Sequence, residues 1–133
     1  MVTLIDTSAI YAYLDRDDAN HDRAKATFYE LLDRGAPLLT HNYIAVECSA
    51  LVQRRLGPIA NRALHDDVLR VIDVIWIDEA THRLAVHAML SADRRDVSLV
   101  DWTSFTVMRE RRVGEAFAFD QDFRDQGYVV IPD

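Results

Sequence analysis

Cysteine, glycine, proline and lysine are all scarce in this sequence of 133 residues. The single cysteine, Cys48, excludes an internal disulfide bond and a site built from several thiolates, so we expect a cytoplasmic protein. The four glycines and three prolines form no linker, and we therefore expect one domain over residues 1–133. Apolar runs are only a few residues long, far below the roughly 20 residues that cross a bilayer. No basic and apolar leader begins the chain, so we expect no secretion signal.

Positive charge is also in deficit, because the formal net charge at pH 7 is −7. This value argues against a protein that holds nucleic acid mainly through a general basic surface. The basic residues are almost all arginine, whose planar guanidinium can bind a phosphate through two hydrogen bonds. Clustered arginines can equally form a solvated helix surface. The candidate phosphate contacts are Arg54, Arg55, Arg94, Arg95 and Arg109.

Short apolar segments alternate with helical patterns along the chain. Strands are predicted at residues 2–6, 38–41, 74–78, 116–120 and 128–131. Helices are predicted at residues 7–14, 21–34, 42–56, 58–72, 79–91, 98–112 and 121–126. Strands that alternate with helices pair in parallel and are covered on both faces. We therefore predict a three-layer α/β/α sandwich with a short, mainly parallel central sheet.

Four carboxylates stand where an ionised side chain is costly. Asp6 and Asp120 each end a predicted strand, whereas Glu47 and Asp101 share the helical spacing of apolar neighbours. An ionised carboxylate at low dielectric costs several kcal/mol unless it is paired. Parallel strands place their carboxyl ends at one edge of the sheet, so we expect all four acids to meet there. Such a cluster suits a hard divalent cation, Mg²⁺ or Mn²⁺, with oxygen ligands.

Each acid also has a structural explanation when it is taken alone. Asp6 can cap the helix that follows it, and Asp101 can be the favoured acid in the first turn of its helix. Asp120 can cap the next short helix. An arginine from elsewhere in the fold, such as Arg54, can neutralise Glu47. These alternatives stay open for each residue, and only the joint placement of the four acids favours a metal site.

The four acidic segments together resemble a known family. "LIDTSAI" with Asp6, the central Glu47, "LVDWTSF" with Asp101 and "AFDQDF" with Asp120 are similar to the four acidic motifs of the PIN domain. The greatest similarity is to VapC-type toxins, the ribonuclease halves of toxin–antitoxin pairs, and it covers essentially the whole chain. The resemblance implies a metal-dependent endoribonuclease that uses metal-activated water. It also implies that these four acids are the catalytic residues and the ligands of Mg²⁺, with Mn²⁺ as a substitute.

The resemblance implies supporting roles for three further residues. The hydroxyl of Ser8 would hold the geometry of the first motif. Ser104 would orient Asp101 or contact phosphate, unless its hydroxyl bonds to its own helix backbone. Many relatives carry a hydroxyl two residues before the last acid, where this chain has Ala118, and Asp122 is available as a substitute or outer acid.

Partners and alternative functions complete the prediction. The resemblance implies an RNA substrate such as tRNA, a cognate antitoxin protein and a homodimer with a shared groove. One alternative is a PIN-like module that binds RNA or protein without cleaving it. Another is a Mg²⁺-dependent phosphotransfer domain, which would need a lysine in its site. The only lysine, Lys25, lies in the wrong region for that chemistry.

Overall fold

The computed structural model describes every residue from Met1 to Asp133. Five short strands form one sheet in the order β3-β2-β1-β4-β5, and all neighbouring strands are parallel. The strands are β1 (Thr3–Ile5), β2 (Leu38–His41), β3 (Asp73–Ile75), β4 (Glu115–Phe117) and β5 (Val129–Ile131). The helices are α1 (Thr7–Leu14), α2 (His21–Asp33), α3 (Asn42–Leu56), α4 (Pro58–Ala63), α5 (Glu79–Ala92), α6 (Leu99–Arg111) and α7 (Asp122–Asp125). The predicted α/β sandwich with a parallel central sheet is confirmed.

The central strands are buried along their whole length. Every residue of β1, β2 and β4 is buried, as strands covered by helices on both faces require. The strand order reverses at β1, which has β2 on one side and β4 on the other. In open parallel sheets ligands bind beyond the carboxyl ends of the strands at such a reversal. Here the backbone N–H of Asp6 donates to the carbonyl oxygen of Phe117 at 3.0 Å, which joins the ends of β1 and β4.

Polar side chains begin three of the helices that start near this edge. Asp6 caps α1, and His41 caps α3. Ser98 and Asp101 form a complete capping box at the start of α6. These local bonds satisfy helix N–H groups that would otherwise lack partners. They also hold Asp6 and Asp101 at defined positions on the sheet edge.

The single helix predicted over residues 58–72 is wrong. Helix α4 ends at Ala63, and a π-helical turn over Leu64–Val68 and a 3₁₀ turn over Leu69–Val71 follow it. The change of pitch accompanies the burial of Leu64, Val68 and Ile72 in the core. Periodicity alone does not distinguish such a segment from a regular helix.

The strand predicted over residues 74–78 is also displaced. Strand β3 covers Asp73–Ile75, and the side chain of Trp76 beyond it is 78% exposed. The N–H of Ile77 donates to the side-chain oxygen of Asn42 at 2.7 Å instead of to a neighbouring strand. Because β3 is an edge strand, it has only one neighbour to extend its pairing.

The strand predicted over residues 116–120 ends earlier, because β4 stops at Phe117. The N–H of Phe119 donates to the hydroxyl of Ser8 at 2.9 Å, so the chain leaves the sheet before Asp120. Asp120 therefore lies in the connection to α7 and not at the tip of β4. No helix in the structure combines the length and the apolar character that a membrane span requires.

Candidate metal centre

Asp6 is the most deeply buried acid at the carboxyl edge of the sheet. Its residue surface is only 4% exposed. Oδ2 accepts hydrogen bonds from the backbone N–H of Ser8 at 3.1 Å and from its hydroxyl at 2.6 Å. The pKa of Asp6 is raised to about 7: burial is the main cause, the charges of Asp101 and Asp120 add to it, and the bonds from Ser8 oppose it. A cation near Asp6 would offset this cost of ionisation.

Ser8 connects the first acid to the loop after β4. Its hydroxyl donates to Asp6 and accepts the N–H of Phe119 at 2.9 Å. One side chain therefore fixes the carboxylate of Asp6 relative to the segment that carries Asp120. The contact places Ser8 where the resemblance to the PIN domain predicts a supporting hydroxyl.

Asp101 lies one turn into α6 and is partly buried. Its Oδ2 accepts the N–H and the hydroxyl of Ser98, both at 3.1 Å, and its Oδ1 accepts no hydrogen bond from the protein. Burial raises the pKa of Asp101 to about 6, and the charges of Asp120 and Glu47 contribute to the increase. Asp101 therefore caps α6 through Oδ2 and also belongs to the acidic cluster, and its Oδ1 is available to a ligand.

Asp120 and Asp122 both join Asp101. One carboxylate oxygen from each of the three residues lies within 4.8 Å of the other two. Asp120 Oδ1 accepts the N–H of Asp122 at 2.9 Å, which starts the turn into α7. Burial and the neighbouring Asp120 raise the pKa of Asp122. The structure therefore brings both candidates for the fourth acid to the cluster.

Glu47 is exposed, at the edge of the face of α3 that buries Ile44 and Cys48. Its Oε1 accepts the hydroxyl of Thr7 at 2.6 Å. Glu47 still lies close enough to Asp101 to contribute to that residue's raised pKa. Sequence reasoning missed Thr7, although its place directly after Asp6 in the first motif could have indicated it.

The hydroxyl of Ser104 bonds to its own helix backbone and not to an acid, so the alternative to its predicted supporting role holds. It is fully buried, and its hydroxyl donates to the carbonyl oxygen of Val100 at 3.1 Å. The same oxygen lies 2.8 Å from Nε2 of His41, whose Nδ1 accepts the N–H of Ile44 at 3.3 Å. Burial lowers the pKa of His41 to about 4, so the ring is neutral and Nε2–H donates to Ser104. Ser104 joins α6 to the start of α3 and does not orient Asp101.

The predicted arginines divide into one that reaches the acids and four that do not. Arg94 Nη2 lies 2.8 Å from Asp96 and 3.9 Å from Asp122 Oδ1. The guanidinium of Arg55 lies over the ring of Tyr11, 5.6 Å from its centre. The remaining candidates form no ion pair within 4.0 Å and are exposed: Arg54, Arg95 and Arg109.

The chemistry of this edge fits a hard divalent cation. No cationic side chain lies within 4.0 Å of Asp6, Glu47, Asp101 or Asp120, and Arg94 approaches only Asp122. The three residues close enough to share an ion are all aspartates, and their carboxylate oxygens are the donors that suit Mg²⁺ or Mn²⁺. The structure thus supports a divalent metal site.

Comparisons with known proteins show the family of this chain. The family model of the PIN domain matches residues 3–127. The chain is 32% identical over 130 residues to the 23S rRNA-specific endonuclease VapC20 of Mycobacterium tuberculosis, across 96% of this chain and 95% of that protein. The crystal structure of the same VapC20, described as a sarcin–ricin loop cleaving toxin, matches with a TM-score of 0.84 at 31% identity, over 97% of each chain.

Two more distant structures show the fold alone. FitAcB from Neisseria gonorrhoeae has a TM-score of 0.70 at 15% identity, over 98% of this chain and 96% of that chain. VapBC2 from Rickettsia felis, bound to a DNA fragment from their promoter, has a TM-score of 0.69 at 10% identity, over 98% and 97%. Together with the acidic cluster, the closer matches confirm the predicted VapC-type, metal-dependent toxin ribonuclease: the chain belongs to the PIN-domain family.

Proposed function

We propose that this chain hydrolyses a phosphodiester bond in a ribosomal RNA loop, with Mg²⁺ as its metal. The observation that carries the proposal is the meeting of Asp101, Asp120 and Asp122 next to the buried Asp6, with one cationic group nearby. Family membership supplies the reaction class. The similarity to VapC20, whose name specifies 23S rRNA, favours ribosomal RNA over the predicted tRNA.

Asp101, Asp120 and Asp122 would hold the cation directly, with Asp6 and Glu47 completing the acidic site. When bound there, the cation would lower the pKa of a water molecule and stabilise negative charge on phosphate oxygens. Mg²⁺ is favoured over softer metals because the donors are carboxylates, and it also binds phosphate oxygens well. Mn²⁺ accepts similar ligands and is the expected substitute.

Hydrogen bonds from neighbouring hydroxyls set the orientation of the acids before any ligand binds. Ser8 holds Asp6, Thr7 holds Glu47, and Ser98 holds Asp101. Each of these hydroxyls comes from the first turn of a helix or from a capping position, where the backbone is well fixed. Such preorganisation removes the need to reorient side chains during the reaction.

We further propose that the chain acts with protein partners. Membership of the VapC-type toxins supports an antitoxin that binds and inhibits this domain. A homodimer is also expected, since large apolar side chains remain exposed along one groove. Val46 and Trp76, which are 68% and 78% exposed, line the same groove, and contiguous exposed apolar groups commonly mark protein interfaces.

Cleavage of RNA by the purified protein tests the proposed function. The substrates are ribosomes, total tRNA and a synthetic hairpin with the sarcin–ricin sequence, each with Mg²⁺, with Mn²⁺ and with a chelator. Asp6→Asn and Asp101→Asn are the site variants, purified in parallel to exclude a contaminating nuclease. Asp125→Asn is the matched control, because this exposed acid lies in α7 outside the cluster.

Metal-dependent fragments that appear with wild type and Asp125→Asn, and disappear with both site variants, would support the proposal. Cleavage of tRNA alone would retain the enzyme class and overturn the choice of ribosomal RNA. Metal binding by calorimetry without cleavage of any RNA would overturn the proposed activity and favour the PIN-like binding module.

A further inference from the structure

The turn between α5 and α6 holds one arginine in a fixed orientation beside the acids. Arg94 Nε and Nη2 donate to Asp96 Oδ1 and Oδ2 at 3.1 and 2.8 Å, a two-point contact with one carboxylate. The same Nη2 lies 3.9 Å from Asp122 Oδ1, in the cluster with Asp101 and Asp120. The contact with Asp96 therefore aims the guanidinium at the predicted metal site.

Most of the hydrogen-bonding capacity of Arg94 is unused. A guanidinium has five N–H donors, and Asp96 accepts only one from Nε and one from Nη2. The distance to Asp122 is too long for a hydrogen bond and represents a charge interaction only. The Arg94 side chain is 42% exposed, so the free N–H groups can be reached from solvent. This geometry suits a second planar anion such as a phosphate.

An approaching RNA phosphate meets an unfavourable charge at this edge. Asp6, Glu47, Asp101, Asp120 and Asp122 all carry carboxylates, and Arg94 is the only cationic side chain within 4.0 Å of any of them. The adjacent Arg95 forms no ion pair within that distance. Arg94 is thus the one basic group whose position is set relative to the acids.

We infer that Arg94 binds an RNA phosphate beside the bond that is cleaved, and that Asp96 is the positioning residue that holds its guanidinium. The inference rests on the proposed function and adds a substrate contact that the acidic motifs do not include. It has an unusual consequence. The positive charge of Arg94 attracts RNA but repels a cation at Asp122, so its removal should weaken RNA binding and strengthen metal binding.

Four variants separate this role from general effects of charge or folding. Arg94→Gln removes the cation, and Asp96→Ala keeps the cation but removes its anchor. Arg95→Gln removes the same charge from the next residue. Arg83→Gln is the matched control on α5, since it breaks an exposed pair of 2.8 Å whose partner, Glu79, is not one of the five acids. Single-turnover cleavage of the sarcin–ricin hairpin gives the half-saturating enzyme concentration, and calorimetry with Mn²⁺ alone gives metal affinity.

For Arg94→Gln we expect the half-saturating concentration to rise about tenfold, as for one lost charge-assisted contact. A plot of the logarithm of the RNA-binding constant against the logarithm of the salt concentration should also become less steep. The expected change in slope is roughly 0.7 to 0.9, the value for one lost phosphate contact. The Mn²⁺ dissociation constant should fall by about threefold or more. Asp96→Ala should weaken RNA binding without tightening Mn²⁺ binding, and Arg83→Gln should change neither.

Equal effects of Arg94→Gln and Arg95→Gln on the half-saturating concentration would overturn the inference, because they would reflect the general field of the surface. Weaker binding of both RNA and Mn²⁺ by Arg94→Gln would also overturn it, since that pattern indicates a distorted site. If wild type cleaves and Arg94→Gln has the wild-type half-saturating concentration, only this inference fails. If wild type cleaves no RNA, the proposed function fails and the inference fails with it.

Discussion

The hydroxyl of Ser8 donates a hydrogen bond of 2.6 Å to Oδ2 of Asp6 while accepting the N–H of Phe119. The bond to Asp6 stabilises the ionised carboxylate and opposes burial, which has the larger effect and raises the pKa of Asp6 to about 7. Ser8 therefore influences both the orientation of Asp6 and the pH at which it ionises.

Substitution of Ser8 by alanine should move metal binding to higher pH. Loss of the hydroxyl removes a bond that lowers the pKa of Asp6, so the carboxylate ionises later as pH rises. At neutral pH we expect the Mn²⁺ dissociation constant to rise about tenfold, as for the loss of one hydrogen bond to a charged group. Calorimetry across the neutral range measures the shift. Ser8→Thr keeps the hydroxyl as a control, and an unchanged pH midpoint in Ser8→Ala would contradict the prediction.

The metal-free protein should lose stability as Asp6 and Asp101 ionise. Burial raises the pKa of these residues from 3.8 to about 7 and about 6, so the folded state retains protons that the unfolded state has released. The stabilising contribution is complete below the unfolded pKa and is lost as pH rises through the folded values. We expect a decrease in the free energy of unfolding of a few kcal/mol between about pH 4 and pH 7.

Urea unfolding in a chelator buffer measures this decrease as the difference between wild type and Asp6→Asn. The comparison is necessary because buried His41, with its pKa lowered to about 4, changes stability in the opposite direction over part of that range. A pH dependence that is the same in both proteins would show that Asp6 ionises normally in the folded state. Addition of Mg²⁺ near neutral pH should restore the lost stability of wild type through ligand binding.

Asn substitutions in the cluster should distinguish its members from the neighbouring acid in α7. Asp120→Asn and Asp122→Asn each remove a charged oxygen that lies within 4.8 Å of the other two carboxylates. We expect each to weaken Mn²⁺ binding by about tenfold or more, because oxygen ligands for hard cations bind mainly through charge. Asp125→Asn serves as the control. If Asp122→Asn binds Mn²⁺ with wild-type affinity, Asp120 alone is the fourth acid of the site.

Ser104→Ala should affect folding and leave the metal site intact. The substitution removes the acceptor of the His41 Nε2–H, and a buried donor without a partner costs about 1–3 kcal/mol. Urea unfolding should show this loss in the free energy of unfolding, while calorimetry shows the wild-type Mn²⁺ affinity. A large loss of metal affinity in the folded variant would return Ser104 to the role that the family resemblance first implied.

Local patterns were sufficient for much of the fold and for the identity of the acids. The helix over residues 42–56 and the capping box of Ser98 and Asp101 follow from residues within a few positions of each other. The predicted ends of two strands were wrong because side chains from distant parts of the sequence bond to backbone N–H groups there. Asn42 takes the N–H of Ile77, and Ser8 takes the N–H of Phe119, so β3 and β4 end earlier than their apolar runs suggest.

The sequence by itself determined the parallel α/β fold and the four acidic motifs, since periodicity, capping and motif order are properties of short segments. Only the tertiary structure decided that Asp122 joins Asp101 and Asp120, that Glu47 is exposed and held by Thr7, and that Arg94 lies beside the cluster. These outcomes depend on how the starts of α1, α3, α6 and α7 and the turn before α6 pack together. Distances between groups from separate segments are set by that packing, and no local pattern encodes them.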